Sequence, residues 1–276
     1  MSLLEDILYG LIAGVTEFLP VSSEAHRALL RYLFGAGTKA PLQELLVHIG
    51  LVFAVIFACR DAIARLHREQ KNLAGNGRRR NRSPDNKNLY DLRLLKTAAV
   101  PLIIGSLLYI VTAKFESSLM HLLLFWLING IILLLADHTS RGNRDSRTMS
   151  ALDGIVMGIA GALRILPGLS GTGMICAYTA ARGVDWQHTI NWALILSIPV
   201  LLLGCCFDIL AVITQGFGIA NFQEFLGCIL SGAAAFGGGF LGVSVLKLAL
   251  SQSGFSKFAY YSIGAALFSF ILYLIT

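Results

Sequence analysis

The sequence predicts an all-α polytopic membrane protein, and three observations carry that prediction. Of 276 residues, 55% are hydrophobic and only 14% charged, with a mean hydropathy of +0.69; a soluble domain carries about 25% charged residues. The apolar runs are long and continuous, which favours helices over the alternating strands of a barrel. Glycine is abundant at 28 residues, as close helix contacts and broken helices require. These features exclude a soluble globular domain, because charge is costly in hydrocarbon and backbone polar groups there must be satisfied internally.

The first apolar stretch, Leu3–Leu19, opens with Glu5 and Asp6, where a cleavable leader would be basic. It contains Glu17 and stops at Pro20, so it is short of the roughly 20 residues a crossing needs. Ala25–Phe34 continues as a second short piece, and Ala40–Cys59 is long enough to cross although Glu44 and His48 lie within it. Residues 60–96 read as a basic loop, mobile at its Asn-, Gly- and Arg-rich centre, and the positive-inside rule assigns it to the cytoplasm. No aromatic or fold signature accompanies the Arg78–Arg82 run, so it reads as a topology and headgroup signal and no nucleic acid is expected. Leu94–Ala113 and Leu119–Ala136 are two crossings, which return the chain to the same side at a second basic loop, His138–Met149. Ala151–Leu166 is again short, and Met174–Ala181, Ile190–Ile213, Phe222–Leu248 and Phe258–Ile275 complete a single transmembrane domain over 1–276. Cys59, Cys176, Cys205, Cys206 and Cys228 sit in or beside apolar runs without metal-ligand spacing and read as buried thiols.

The two short stretches resemble each other. Gly10 and Gly14 precede Glu17, Pro20 and Ser23; Gly154 and Gly158 precede Arg164, Pro167 and Ser170. With the prolines aligned, Glu17 matches Arg164 and Ser23 matches Ser170. Paired interrupted helices in two halves, about 1–137 and 150–276, point to a site between them. Broken backbone survives at membrane depth only where protein or a polar cavity covers it, and its freed amides can bind anions. Glu17 and Arg164 are intramembrane ions and therefore functional candidates.

Gly14-Val-Thr-Glu17-Phe-Leu-Pro20-Val-Ser-Ser23-Glu-Ala-His26 resembles the first signature of the bacterial undecaprenyl-diphosphate phosphatases, the bacitracin-resistance family. Pro167-Gly168-Leu169-Ser170-Gly171-Thr172-Gly173 resembles the second, and Ser197-Ile198-Pro199 also fits. The resemblance implies two interdigitated inverted repeats with re-entrant helix pairs in the bacterial inner membrane. It implies hydrolysis of a C55 isoprenyl diphosphate to the monophosphate, which recycles the carrier lipid of peptidoglycan and bears on antibiotic resistance. It also implies that Glu17, Ser23 and His26 lie in a pocket holding the diphosphate. In the second signature the residue after the serine is arginine, and here it is Gly171. Ala13 replaces a glutamate or glutamine, Glu24 and Ala25 replace a small residue and a glycine, Gly161 stands where a glutamine is common, and Arg164 replaces a small apolar residue.

Diphosphate hydrolysis needs neutralised phosphoryl oxygens, an in-line nucleophile and a proton shuttle. His26 and Glu17 are candidates for proton transfer, Ser23 or Ser170 for contact with or attack on phosphorus. Phosphate binding is expected from Ser22, Arg27, Arg164, Ser170, Gly171 and Thr172, with Pro20, Pro167 and Gly168 making the breaks. Glutamate 17 is also the candidate ligand of a divalent cation, magnesium or calcium, although loss of a carboxylate at Ala13 weakens that expectation. The expected partners are the polyprenyl diphosphate and the phospholipid bilayer, with a homodimer allowed. The alternative is a transporter or flippase-like carrier of a lipid phosphate or other anion, and a weaker one is a non-catalytic scaffold.

Overall fold

A computed structural model describes residues 3–33, 40–74, 87–108, 119–139, 142–252 and 254–275. The elements are helical: α1 (Leu3–Phe18), α2 (Ser23–Leu33), α3 (Pro41–Ala58), α4 (Arg60–Ala74), α5 (Lys87–Leu107), α6 (Leu119–Asp137), α7 (Ala151–Ala162), α8 (Gly171–Ala181), α9 (Trp186–Gln215), α10 (Phe222–Gln252) and α11 (Ser256–Ile275). Among the described residues, five helices (α3, α6, α9, α10 and α11) are long and apolar enough to cross a membrane. Their outward faces carry large apolar side chains such as Phe53, Ile213, Phe222, Tyr260 and Leu274. A surface of that kind suits lipid and not water, and the chain is a multi-pass membrane protein.

The segment read from sequence as a loop over 60–96 contains α4 and the start of α5. Its 15 residues in α4 are polar on one face, and hydropathy alone does not separate a polar amphipathic helix from a loop. The Arg78–Arg82 run lies outside the described residues, as does the end of the crossing expected over Leu94–Ala113. The cysteine reading needs correction: Cys59, Cys176 and Cys228 are buried free thiols, but Cys205 is half-buried and Cys206 exposed on α9, where the apolar run faces outward.

Both predicted breaks are present. α1 ends at Phe18 ahead of Pro20, and α2 starts at Ser23. α7 opens on a capping box between Ser150 and Asp153 and ends at Ala162. A 3₁₀ turn, Leu163–Ile165, then carries Arg164, and Ser170 caps α8 by accepting from the Gly173 amide. The two glycine pairs do equivalent work. A Cβ at Gly10 would strike the Ser231 carbonyl of α10, and one at Gly158 would strike the Ala98 carbonyl of α5. α1 therefore lies backbone to backbone on α10, and α7 on α5, the close approach that small residues permit. α6 packs on α11 and α3 on α9, which leaves the two breaks facing each other at the centre.

Candidate functional site

The breaks are stitched together by buried hydrogen bonds. Ser22 Oγ accepts from the Gly168 amide at 3.0 Å, and Ser170 Oγ donates to the Leu19 carbonyl at 3.1 Å. Thr172 Oγ1 reaches the Glu17 carbonyl at 3.5 Å, and Ser23 Oγ donates to the Ala13 carbonyl at 3.3 Å. Asn129 of α6 binds both turns: its Nδ2 donates to the Pro20 carbonyl at 3.0 Å, and its Oδ1 accepts from the Ser170 amide at 3.0 Å. Trp126 Nε1 donates to the Val21 carbonyl at 2.8 Å. Backbone groups that the prolines free from the helices thus find protein partners, as membrane depth demands.

The geometry at the turns is unusual. Ser22 sits at φ 67°, the one non-glycine residue with positive φ among the described residues, and Gly168 sits at φ 123°. A left-handed serine costs on the order of 1–3 kcal/mol and persists where its surroundings over-determine it. His26 is part of those surroundings. Its Nδ1 donates to the Ser22 carbonyl at 2.7 Å, and its Nε2 accepts from the Tyr261 hydroxyl at 2.6 Å. The ring stacks on Tyr261 and meets Trp126 edge-on.

Between the breaks lies a narrow cleft lined by Glu17, Ser22, Ser23, Glu24, Arg164, Leu169, Ser170 and Gly171. Arg164 Nη2 donates to Glu17 Oε1 at 2.6 Å, with Glu17 almost wholly buried. The arginine also covers Gly171: a Cβ there would lie 3.1 Å from Arg164 Cβ and 3.3 Å from its Cδ. The guanidinium-bearing side chain thus occupies the space into which a residue-171 side chain would grow.

Of the residues singled out by sequence, Glu17, Ser22, Ser23, Arg164, Ser170 and Gly171 share this cleft. Pro20, Pro167, Gly168 and Thr172 shape the turns behind it, and His26 stands behind Ser22. Arg27 is buried to one side, donating to Glu44 Oε2 at 2.9 Å and to Glu24 Oε1. Glu44 in turn accepts from the Tyr9 hydroxyl. Deeper along α3, His48 pairs with Asp208 at 2.6 Å. Sequence reading missed Asn129, Tyr261 and Asp208. A lone amide inside the apolar run of α6 was the available signal for the first, because a polar group there needs a partner.

Glu17 and Glu24 both face the cleft, and each is bound to a guanidinium. Among the described residues no group of three His, Cys, Asp or Glu side chains is placed to hold a metal ion.

Comparison with known proteins follows the same lines. The profile of the bacitracin resistance protein BacA family matches residues 6–268. An undecaprenyl-diphosphatase of Alkaliphilus metalliredigens is 28% identical over 95% of both chains. One from Jannaschia sp. is 33% identical over 73% of this chain and 74% of its own, and undecaprenyl-diphosphatase 1 of Shouchella clausii is 30% identical over 73% and 72%. With a family profile spanning nearly its whole length, the chain belongs to the bacitracin resistance protein BacA family.

Proposed function

We propose that the protein hydrolyses undecaprenyl diphosphate, or a similar polyprenyl diphosphate, to the monophosphate and phosphate in the bacterial inner membrane. It would thereby recycle the carrier lipid used in cell-wall synthesis. The relatives' shared name supports the reaction class. The observation that carries the reading for this chain is Arg164 lying over Gly171 in a cleft between two helix breaks. A guanidinium offers a fork of donors to phosphoryl oxygens, and glycine offers none. Arg164 thus replaces the missing arginine of the second signature, coming from the preceding turn.

In this reading Glu17 holds Arg164 until substrate arrives, and the guanidinium then turns toward the phosphate. Ser22, Ser23 and Ser170 lend polar groups to the cleft. His26 keeps the strained Ser22 turn in shape, with both ring nitrogens engaged. The packing of α1 on α10 and of α7 on α5 supports two interdigitated inverted repeats, about 1–137 and 150–276, since each half's broken helix rests on a long helix of the other. Such paired breaks also occur in carriers, so transport of a lipid phosphate without hydrolysis is the second reading. Phosphate release from undecaprenyl diphosphate by purified protein in detergent separates the two.

A further inference from the structure

The hydroxyls and the imidazole of the site are already engaged. Ser23 Oγ donates to Ala13, Ser170 Oγ to Leu19, and both nitrogens of His26 are bonded. Glu17 lies beneath Arg164 with a side chain only 2% exposed. Glu24 differs. It lines the same cleft from the first turn of α2, and its side chain is 15% exposed. Oε1 binds Arg27, while Oε2 accepts no hydrogen bond from the described residues.

The groups behind Glu24 form a chain through three helices. Arg27, 5% exposed, spans Glu24 and Glu44, and Tyr9 of α1 donates to Glu44 of α3. Buried charges of this kind are expensive, and a guanidinium at membrane depth is kept where it serves a function. Glu24 also follows a serine tied to α1. The glutamate or glutamine of the resembling signature is Ala13 here, and the Ala13 carbonyl accepts from Ser23, Glu24's immediate neighbour.

We infer that Glu24 is the catalytic carboxylate of the cleft, receiving the proton of the attacking water, and that Arg27, Glu44 and Tyr9 are its positioning residues; this rests on the phosphatase reading. A water oxygen forms a bond to the terminal phosphorus as its proton passes to Glu24 Oε2. The bond from that phosphorus to the bridging oxygen breaks, and its electron pair leaves with the prenyl monophosphate. Glu24 then returns the proton to the departing inorganic phosphate. The charged and titratable groups facing Glu24 are Arg27 and Arg31 of α2, Glu44 and His48 of α3, Glu17 of α1 and Arg164.

The test uses full-length protein in detergent with undecaprenyl diphosphate, reading phosphate release and, separately, the rise in Tm that the substrate causes. General-base catalysis contributes roughly 10²–10⁴-fold. Glu24→Gln should therefore lower turnover at least about 100-fold while the substrate still raises Tm. Glu24→Asp, which keeps the charge pair with Arg27, should fold like the wild type and retain intermediate activity. If Glu24 merely neutralised Arg27, removing all three charges in Glu24→Gln/Arg27→Met/Glu44→Gln would restore turnover; the inference requires that triple variant to stay inactive. Near-wild-type turnover in Glu24→Gln, or recovery in the triple variant, overturns the role of Glu24 and leaves the phosphatase reading standing. A wild-type protein that releases no phosphate overturns both.

Discussion

Arg164 and Glu17, 147 residues apart, meet at 2.6 Å where the two helix breaks face each other. Each is an ion that neither half of the chain could bury alone. Breaking such a pair by removing one partner typically costs about 3–5 kcal/mol. The pair thus links the fold to the cleft, because the guanidinium that closes the interface also covers Gly171.

Replacing Arg164 with alanine should reduce phosphate release by about 10²–10³-fold, the usual effect of losing one donor to a developing oxyanion. Adding Gly171→Arg to that variant should restore part of the activity. Restoration should be incomplete, because a Cβ at position 171 would still lie 2.9 Å from the Gly161 carbonyl. Equal activity of Arg164→Ala and wild type in a steady-state assay would remove Arg164 from the phosphate site.

The turn at Ser22 makes a separate demand on His26. His26→Ala removes the donor to the Ser22 carbonyl and the acceptor for Tyr261, so turnover should be lost although the protein still inserts and purifies. Tyr261→Phe removes only the second of these bonds and should retain much of the activity. If Tyr261→Phe were the more damaging of the two, the ring would be held chiefly from α11, against the account of the turn.

Asn129 ties both breaks to α6. Asn129→Leu strands the Pro20 carbonyl and the Ser170 amide in a buried setting. Each buried orphan costs about 1–3 kcal/mol, so thermal unfolding in detergent should show a clear fall in Tm. An unchanged Tm would mean that these groups find other partners.

Much of this site was legible because the two halves could be aligned on their prolines. Glu17 and Arg164 then fall at matched positions, and two ions in apolar helices must find each other or water. The glycines of α1 and α7 were legible for the same reason. Other features depend on contacts far apart in sequence. Nothing local to Arg27 says that it joins Glu24 to Glu44, and nothing local to Ser22 announces its left-handed backbone, which Gly168 and His26 impose from outside. Helix α4 was read as loop because its 15 residues are mostly polar, and low hydropathy was weighed ahead of their amphipathic periodicity.

The basic segment after α3 bears on orientation. A cysteine at Arg68, on the exposed face of α4, in a background lacking the native cysteines, should be protected from impermeant thiol reagents in intact cells and labelled after permeabilisation. Labelling in intact cells would reverse the orientation.

The most direct test is phosphate release from undecaprenyl diphosphate by purified wild-type protein, across a range of pH and with and without magnesium or calcium. The account predicts steady release that falls sharply in Arg164→Ala. A wild-type protein that binds the prenyl diphosphate but frees no phosphate under any of these conditions would contradict it and leave the carrier reading in its place.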